Sequence, residues 1–187
     1  PLEFTDRLGC PLTDALIYVD NALIGAGVRE RVKVAASGKI VSAYDIVRHL
    51  ALGADWCNMA RPFMFSLGCI QALACSSGNY PTGVATMNPN RYRVLDVIDR
   101  ANRVANFHKN TLNVVKEMIE ATGLNHPNEL CRRHIVRRVS SGQILLADQL
   151  FPKVQPNALI TGEKCDDPRL DVYWDRVDGS SFSARES

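Results

Sequence analysis

The sequence predicts an α/β fold: the C-terminal part of a (β/α)8 TIM barrel, its last two strands, followed by post-barrel helices. Three observations carry this. The front third alternates helix, strand, helix, strand, helix, at the spacing of parallel βαβ units. Only two strand segments are legible, and two strands alone leave edges open to pairing. A whole barrel needs about 250 residues, and the chain has 187.

The elements follow in order. Residues 11–27, PLTDALIYVDNALIGAG, place apolar side chains at 12, 15, 16, 19, 22, 23 and 26, a helical period that Gly25 and Gly27 can stop. The β-branched run from Val32 to Ala36, closed by Ser37 and Gly38, predicts a buried strand. Ser42 with Asp45 three residues on resembles a capping box, and Ala43, Ile46, Val47, Leu50 and Ala51 form the helix face behind it. Residues 54–60, ADWCNMA, predict the second strand. Pro62 then opens a further apolar helix. Residues 95–122 predict a long amphipathic helix with the stripe Ile98, Ala101, Val104, Ala105, Leu112, Val115 and Ile119, ended by Gly123. From 124 to 160 the pattern is mixed and broken by prolines; from 161 it is a polar tail, on the surface, on a partner or disordered.

Composition narrows the class. The chain is 46% hydrophobic and 22% charged with net charge +2, ordinary for one globular domain. So balanced a charge gives no reason to expect nucleic acid as a partner. No run of 18 apolar residues suggests a membrane span in this segment. The opening at Pro1 reads as part of a longer chain. The six cysteines, Cys10, Cys57, Cys69, Cys75, Cys131 and Cys165, are scattered, which suits reduced thiols in a cytoplasmic protein.

Three constellations could carry chemistry. Ser37, Gly38 and Lys39 follow the first strand, and Ala60 and Arg61 follow the second. Two such turns at strand ends form phosphate sites in barrels, through backbone N–H groups and added positive charge. The plain alternative is a strand-ending turn and a surface arginine. Cys69 and Cys75 could ligate a metal, but six residues apart on a helix they do not share a face, so two buried thiols are the alternative. His49, His108, His126 and His134 pair with no cysteine or carboxylate at a metal or catalytic spacing, and each reads as a core or surface residue. HPNELCRRHIVRR is basic without interleaved aromatics and reads as a solvated face or a subunit contact. No nucleophile triad, phosphate loop or dinucleotide fingerprint is present. No catalytic residue is assigned.

The stretch ASGKIVSAYDIVRHLALGADWCNMARPFMFSLGCIQALACSSGNYPTGVATMNP closely resembles the end of the FMN-binding barrel of glutamate synthases, most of all the shorter FMN-binding members of that family. PLEFTDRLGCPLTDAL, NFHKNTL and HPNEL…RHIVRRVS are similar to flanking segments, so the likeness covers residues 1–155. It implies an oxidoreductase that makes L-glutamate from 2-oxoglutarate and ammonia, taken from glutamine or free, with electrons arriving from a donor subunit or ferredoxin through an iron–sulfur cluster and FMN. The two strands would be barrel strands seven and eight, and Ser37, Gly38, Lys39, Ala60 and Arg61 would hold the FMN phosphate. Residues 1–90 would end the FMN-binding barrel and carry the cysteine loop, 91–160 would be post-barrel and helical, and 161–187 the tail. The family pattern Cys-x5-Cys-x4-Cys-Pro binds a three-iron four-sulfur (3Fe-4S) cluster. Cys69 and Cys75 match its first two ligands, and Tyr80 stands at the third, before Pro81. A phenol is a poor substitute for a thiolate on soft iron. The expectation is a cluster lost, weakened or irregularly ligated. A degenerate flavin-binding or structural subunit is the alternative function.

Overall fold

A computed structural model describes residues 8–163, 165, 167–181 and 183. Most of the opening PLEFTDRL stretch and part of the polar tail lie outside the described residues. The described residues run from helix α1 (Leu12–Gly25) and a 3-10 turn to strand β1 (Ala35–Ser37), α2 (Ala43–Ala51), β2 (Trp56–Asn58) and α3 (Ala60–Ser66). A long irregular loop with one 3-10 turn leads to the short α4 (Pro89–Tyr92) and the long α5 (Val97–Ala121). The strands β3 (Val136–Arg138) and β4 (Ile144–Leu146) follow, then the short helices α6 (Ala147–Leu150), α7 (Ala158–Thr161) and α8 (Pro168–Tyr173).

The architecture mixes helix and strand as the pattern requires. β1 and β2 pair in parallel, with Ala35 opposite Trp56 and Ser37 opposite Asn58, and α2 is the crossover between them. The capping box is present: Asp45 N–H donates to Ser42 Oγ at 3.2 Å, and Ser42 N–H donates to Asp45 Oδ2 at 2.9 Å. Among the described residues β1 and β2 pair only with each other, so both outer edges stand open.

β1 starts later than the apolar run suggests. Asp55 Oδ2 takes the Val34 N–H at 2.7 Å and Asp55 N–H donates to Val34 O at 2.8 Å, so the ladder opens through a side chain and Val32 stays outside it. α3 begins at Ala60 rather than Pro62, and it ends at Ser66. Gly68 follows at φ +105°, which stops the helix before either cysteine. The long helix matches its predicted span, but only two of the seven residues of its stripe are buried. Val115 and Ile119 are buried, while Ile98 and Leu112 are exposed, because the N-terminal turns reach past the core. The segment read as mixed also contains an antiparallel hairpin, β3 on β4.

The main core joins Leu16 and Ile17 of α1, Ala36 of β1, Val47 and Ala51 of α2, Val115 and Ile119 of α5, and Leu130, Ile135 and Ala147 beyond it. Burying a Leu or Ile side chain fully is worth about 1.5–3 kcal/mol. A second cluster gathers Val154, Ala158, Cys165 and Leu170 against Tyr18, Ala22 and Ile24 of α1. The polar tail is therefore partly docked: Cys165, Asp167 and Leu170 are buried. Composition gave no sign of this, since a single apolar side chain per turn suffices when a groove awaits it.

Between the two clusters lies a buried polar hub. Arg132, read as part of a solvated basic face, is 1% exposed. Its Nη2 donates to Asp20 Oδ2 and to Asn21 Oδ1, both at 2.9 Å. Its Nη1 donates to Phe151 O at 2.8 Å and Pro152 O at 3.1 Å. Asn21 Nδ2 donates to Pro152 O at 3.1 Å and to Asp167 Oδ2 at 2.9 Å. Arg29 Nε reaches the other Asp20 oxygen at 2.8 Å, and its Nη2 reaches Gly53 O and Asp55. Gly53 is required here: at φ +120°, a Cβ would stand 2.5 Å from the Asp20 carboxyl carbon. Burial pulls the Arg132 guanidinium below its ordinary value, against the pull of Asp20. Burial alone would raise the Asp167 carboxyl, but hydrogen bonds from Arg169 and Asn21 outweigh it and hold the group below its ordinary value of 3.8. Asp55 is likewise raised by burial, and lowered on balance by Val34 N–H, Lys33 and Arg29.

Two outcomes follow from the hub. Asp20→Asn strands a buried guanidinium without its carboxylate and should cost about 3–5 kcal/mol. Asp55→Asn, at a half-buried position, should cost about 1–2 kcal/mol. Urea midpoints of the intact protein check the ranking. The pH profile has a defined sign. Asp55 and Asp167 have lower values folded than unfolded, so their contribution is complete above the ordinary value of 3.8 and is lost as pH falls through the depressed ones. The thermal midpoint should fall with acid only below about pH 4; an acid-side decline already under way near neutrality would contradict it.

Candidate functional site

The parallel register brings the two turns together. Because Ser37 lies opposite Asn58, the segments Ser37-Gly38-Lys39 and Ala60-Arg61 both leave the same end of the β1–β2 pair. Gly38 has φ +138°, a conformation that excludes side chains, and Lys39 follows at φ +52°. Ile40, 2% exposed, anchors the turn from below. On the other side α3 starts at Ala60 with no side-chain cap from Met59. All five residues are exposed at the surface. The set offers backbone N–H groups, a lysine and a planar guanidinium, a donor chemistry suited to an anion.

A separate cavity of about 610 Å³ opens at the other ends of the strands, among Asp20, Arg29, Lys33 and Asp55. Its arginine is spent on Asp20 and Asp55, and Lys33 on Asp55, so these groups serve the hub.

The cysteine loop has its own geometry. Cys69 follows the end of α3 and Cys75 opens a 3-10 turn, so neither is helical core; Cys75 is exposed and Cys69 partly buried. Tyr80 is completely buried. Its hydroxyl lies 2.9 Å from Cys69 Sγ and accepts the N–H groups of Ile70 at 2.8 Å and Ala72 at 3.2 Å. Gln71 between those amides and Leu73 just after them carry φ of +57° and +53°, a strain of about 1–2 kcal/mol each that the hydroxyl contacts help to hold. Thr82 Oγ1 donates to Gly68 O at 3.2 Å, Thr86 Oγ1 to Gly78 O at 2.7 Å, and Arg91 Nη1 to Asn79 O at 2.6 Å. Among the described residues, no three His, Cys, Asp or Glu side chains stand together as a metal site. The donor set at the loop is two thiols and a phenol already engaged by two backbone amides, and it does not fit a cluster that needs three thiolates.

The remaining candidates find structural places. His49 is buried, with Nδ1 2.6 Å from Asp45 O. His108 is exposed beside Phe63, which also packs edge-on to Phe107 at 5.1 Å. His126 and His134 accept the N–H groups of Asn128 and Cys131. Burial, with Asp45 nearby, pushes the Cys57 thiol up to about 11, which makes it an inert core group. Sequence reasoning missed Asp20, Asn21, Arg132 and Asp167, and only a polar pair inside an apolar helical stripe, Asp20-Asn21, hinted at them.

Comparison with known proteins bears on the same residues. The family model for the conserved region in glutamate synthase matches residues 1–125. The glutamate synthase large subunit-like protein YerD of Bacillus subtilis is 38% identical over 149 residues, 80% of this chain and 28% of YerD. An archaeal glutamate synthase (NADPH) of Methanocaldococcus jannaschii is 35% identical over 125 residues, 67% of this chain and 24% of that protein. A ferredoxin-dependent glutamate synthase of Arabidopsis thaliana is 35% identical over 86 residues, 46% of this chain and 5% of that protein. The chain thus spans 28% and 24% of the first two relatives. With a βαβ unit and its paired turns inside the matched region, the chain belongs to the glutamate synthase family.

Proposed function

We propose that the chain is the closing segment of the FMN-binding barrel of a glutamate synthase-like oxidoreductase. In this reading β1 and β2 are barrel strands seven and eight. Their open outer edges are where the preceding strand and the first strand of the barrel would pair. One observation carries the proposal: the parallel register sets Ser37-Gly38-Lys39 and Ala60-Arg61 at one end of adjacent strands, the arrangement barrels use for phosphate.

The residues fit an FMN phosphate. Gly38 lets the backbone approach an oxygen closely, Arg61 can fork onto two oxygens, and Lys39 adds charge. FMN would supply the hydride that reduces the imino acid formed from 2-oxoglutarate and ammonia to L-glutamate. This segment's own part is to hold the phosphate end, which fixes where the flavin sits. Substrate-binding and proton-moving groups belong to the barrel strands outside this segment. The nitrogen would come from glutamine or free ammonia, and the electrons from a donor subunit or ferredoxin. The scattered spacing of the six cysteines suits reduced thiols, and the reading sets the protein in the cytoplasm. No helix among the described residues is long and apolar enough to cross a membrane.

The buried Tyr80 hydroxyl favours a second reading, a flavin-binding or structural subunit that does not turn over. The intact protein's visible spectrum and its glutamate formation from 2-oxoglutarate and ammonia separate the two. Flavin with turnover supports the first, flavin without turnover the second, and purified folded protein that takes up no flavin overturns the phosphate assignment. Within the first reading, Arg61→Ala should weaken FMN retention about 10- to 100-fold, the worth of one or two charge-assisted hydrogen bonds, and Gly38→Ala should weaken it too, because a Cβ at φ +138° strains the turn and blocks the close approach. Lys33→Met, at the far end of the strands, should leave it unchanged. Flavin fluorescence released on dilution reads all three.

A further inference from the structure

The cysteine loop is closed by a side chain that a cluster ligand would replace, and the closure is complete. The Tyr80 oxygen has two lone pairs and one proton. Ile70 N–H and Ala72 N–H take the lone pairs, at 2.8 and 3.2 Å. That leaves the proton for Cys69 Sγ, 2.9 Å away. Every hydrogen-bonding valence of the hydroxyl is used, inside a residue with no exposed surface. Coordination of iron would need a lone pair now held by an amide. It would also strip Ile70 or Ala72 of its partner, and an orphaned buried N–H is costly. Cys75 meanwhile is exposed, on a 3-10 turn.

We infer that the Tyr80 hydroxyl is a permanent plug: it does the structural work of closing the Gly68–Gly78 loop, and the loop folds and stays folded without an iron–sulfur cluster. The plug couples two ends of the segment. The backbone beside it is fixed by the strand-like bridge from Asn79 to Thr86 and by Arg91 on the Asn79 carbonyl. Its hydroxyl side fixes the left-handed turns at Gln71 and Leu73. The loop keeps the two cysteines in unlike settings, one thiol bonded to the plug and the other at the surface. A cluster would treat the two alike, and this difference is what an experiment can read.

The test uses the intact protein, purified without oxygen, and does not depend on flavin or turnover. Iron and acid-labile sulfide are assayed, and each cysteine is followed by timed alkylation and peptide mass mapping. The expected result is iron and sulfide far below one per chain, with Cys75 alkylated rapidly and Cys69 at least about tenfold more slowly, as loss of a buried hydrogen bond requires. In Tyr80→Phe the ring remains and the hydroxyl is gone. There Cys69 should approach the Cys75 rate, with Cys57 still protected as a check that the core is folded. The proposal is overturned by three irons and four sulfides per chain with Cys69 and Cys75 protected together until a chelator is added. It is also overturned if Cys69 keeps its slow rate in a folded Tyr80→Phe protein. Failure of the flavin assignment would leave these readings untouched, so the two conclusions fall separately.

Discussion

The structure hangs on a charged contact that closes inside its core, Arg132 on Asp20. The two residues are 112 positions apart, both almost inaccessible, and neither could be buried alone. A lone guanidinium or carboxylate taken from water costs several kcal/mol, and Coulomb attraction offsets this only when the remaining hydrogen-bond groups are also matched. Here they nearly are. Arg132 fills its fork with two carbonyls, a carboxylate and an amide, and Asn21 passes the network on to Asp167. Of the Arg132 guanidinium nitrogens, Nε has no partner among the described residues. Such a hub adds less net stability than an apolar core of the same size would. What it fixes is register: the segment at 132, the bend at 151–152 and the buried Asp167 can each meet α1 in one way.

That fixed frame reaches the candidate site through Arg29 and Asp55. Arg29 joins Asp20 to Asp55 and to the Gly53 carbonyl, and Asp55 in turn starts the β1–β2 ladder by holding Val34. The order of consequences runs from hub to ladder to the strand ends where Ser37 and Arg61 emerge. In the proposed barrel this separates duties by strand end. The starts of the strands are tied down by ion pairs, and their far ends carry exposed backbone together with Lys39 and Arg61. Parallel strands suit such a division, because all their C-terminal ends face one way.

The cysteine loop shows how one residue type decides between chemistries on one backbone. A thiolate is a soft, charged ligand; a phenol is hard, planar and a good neutral hydrogen-bond partner. With Tyr80 in place, the same turn that could face an iron instead wraps its amides around an oxygen.

Much was determined by the sequence itself. The βαβ alternation, the Ser42–Asp45 capping box and the span of the long helix rest on local physics, namely turn chemistry and apolar period, which neighbours in sequence are enough to express. The two turns stand out in the sequence as residues, while Tyr80 stands out at the third cysteine place only through the family resemblance. Tertiary structure alone decided the rest. Arg132 reads as surface until Asp20 arrives from the other end of the chain, and Leu170 reads as tail until α1 offers a groove. The stripe on α5 is apolar along its length, yet among its described residues only Val115 and Ile119 are fully buried. Burial is a property of pairs of distant segments, and no single segment carries the information about which of its faces will be met.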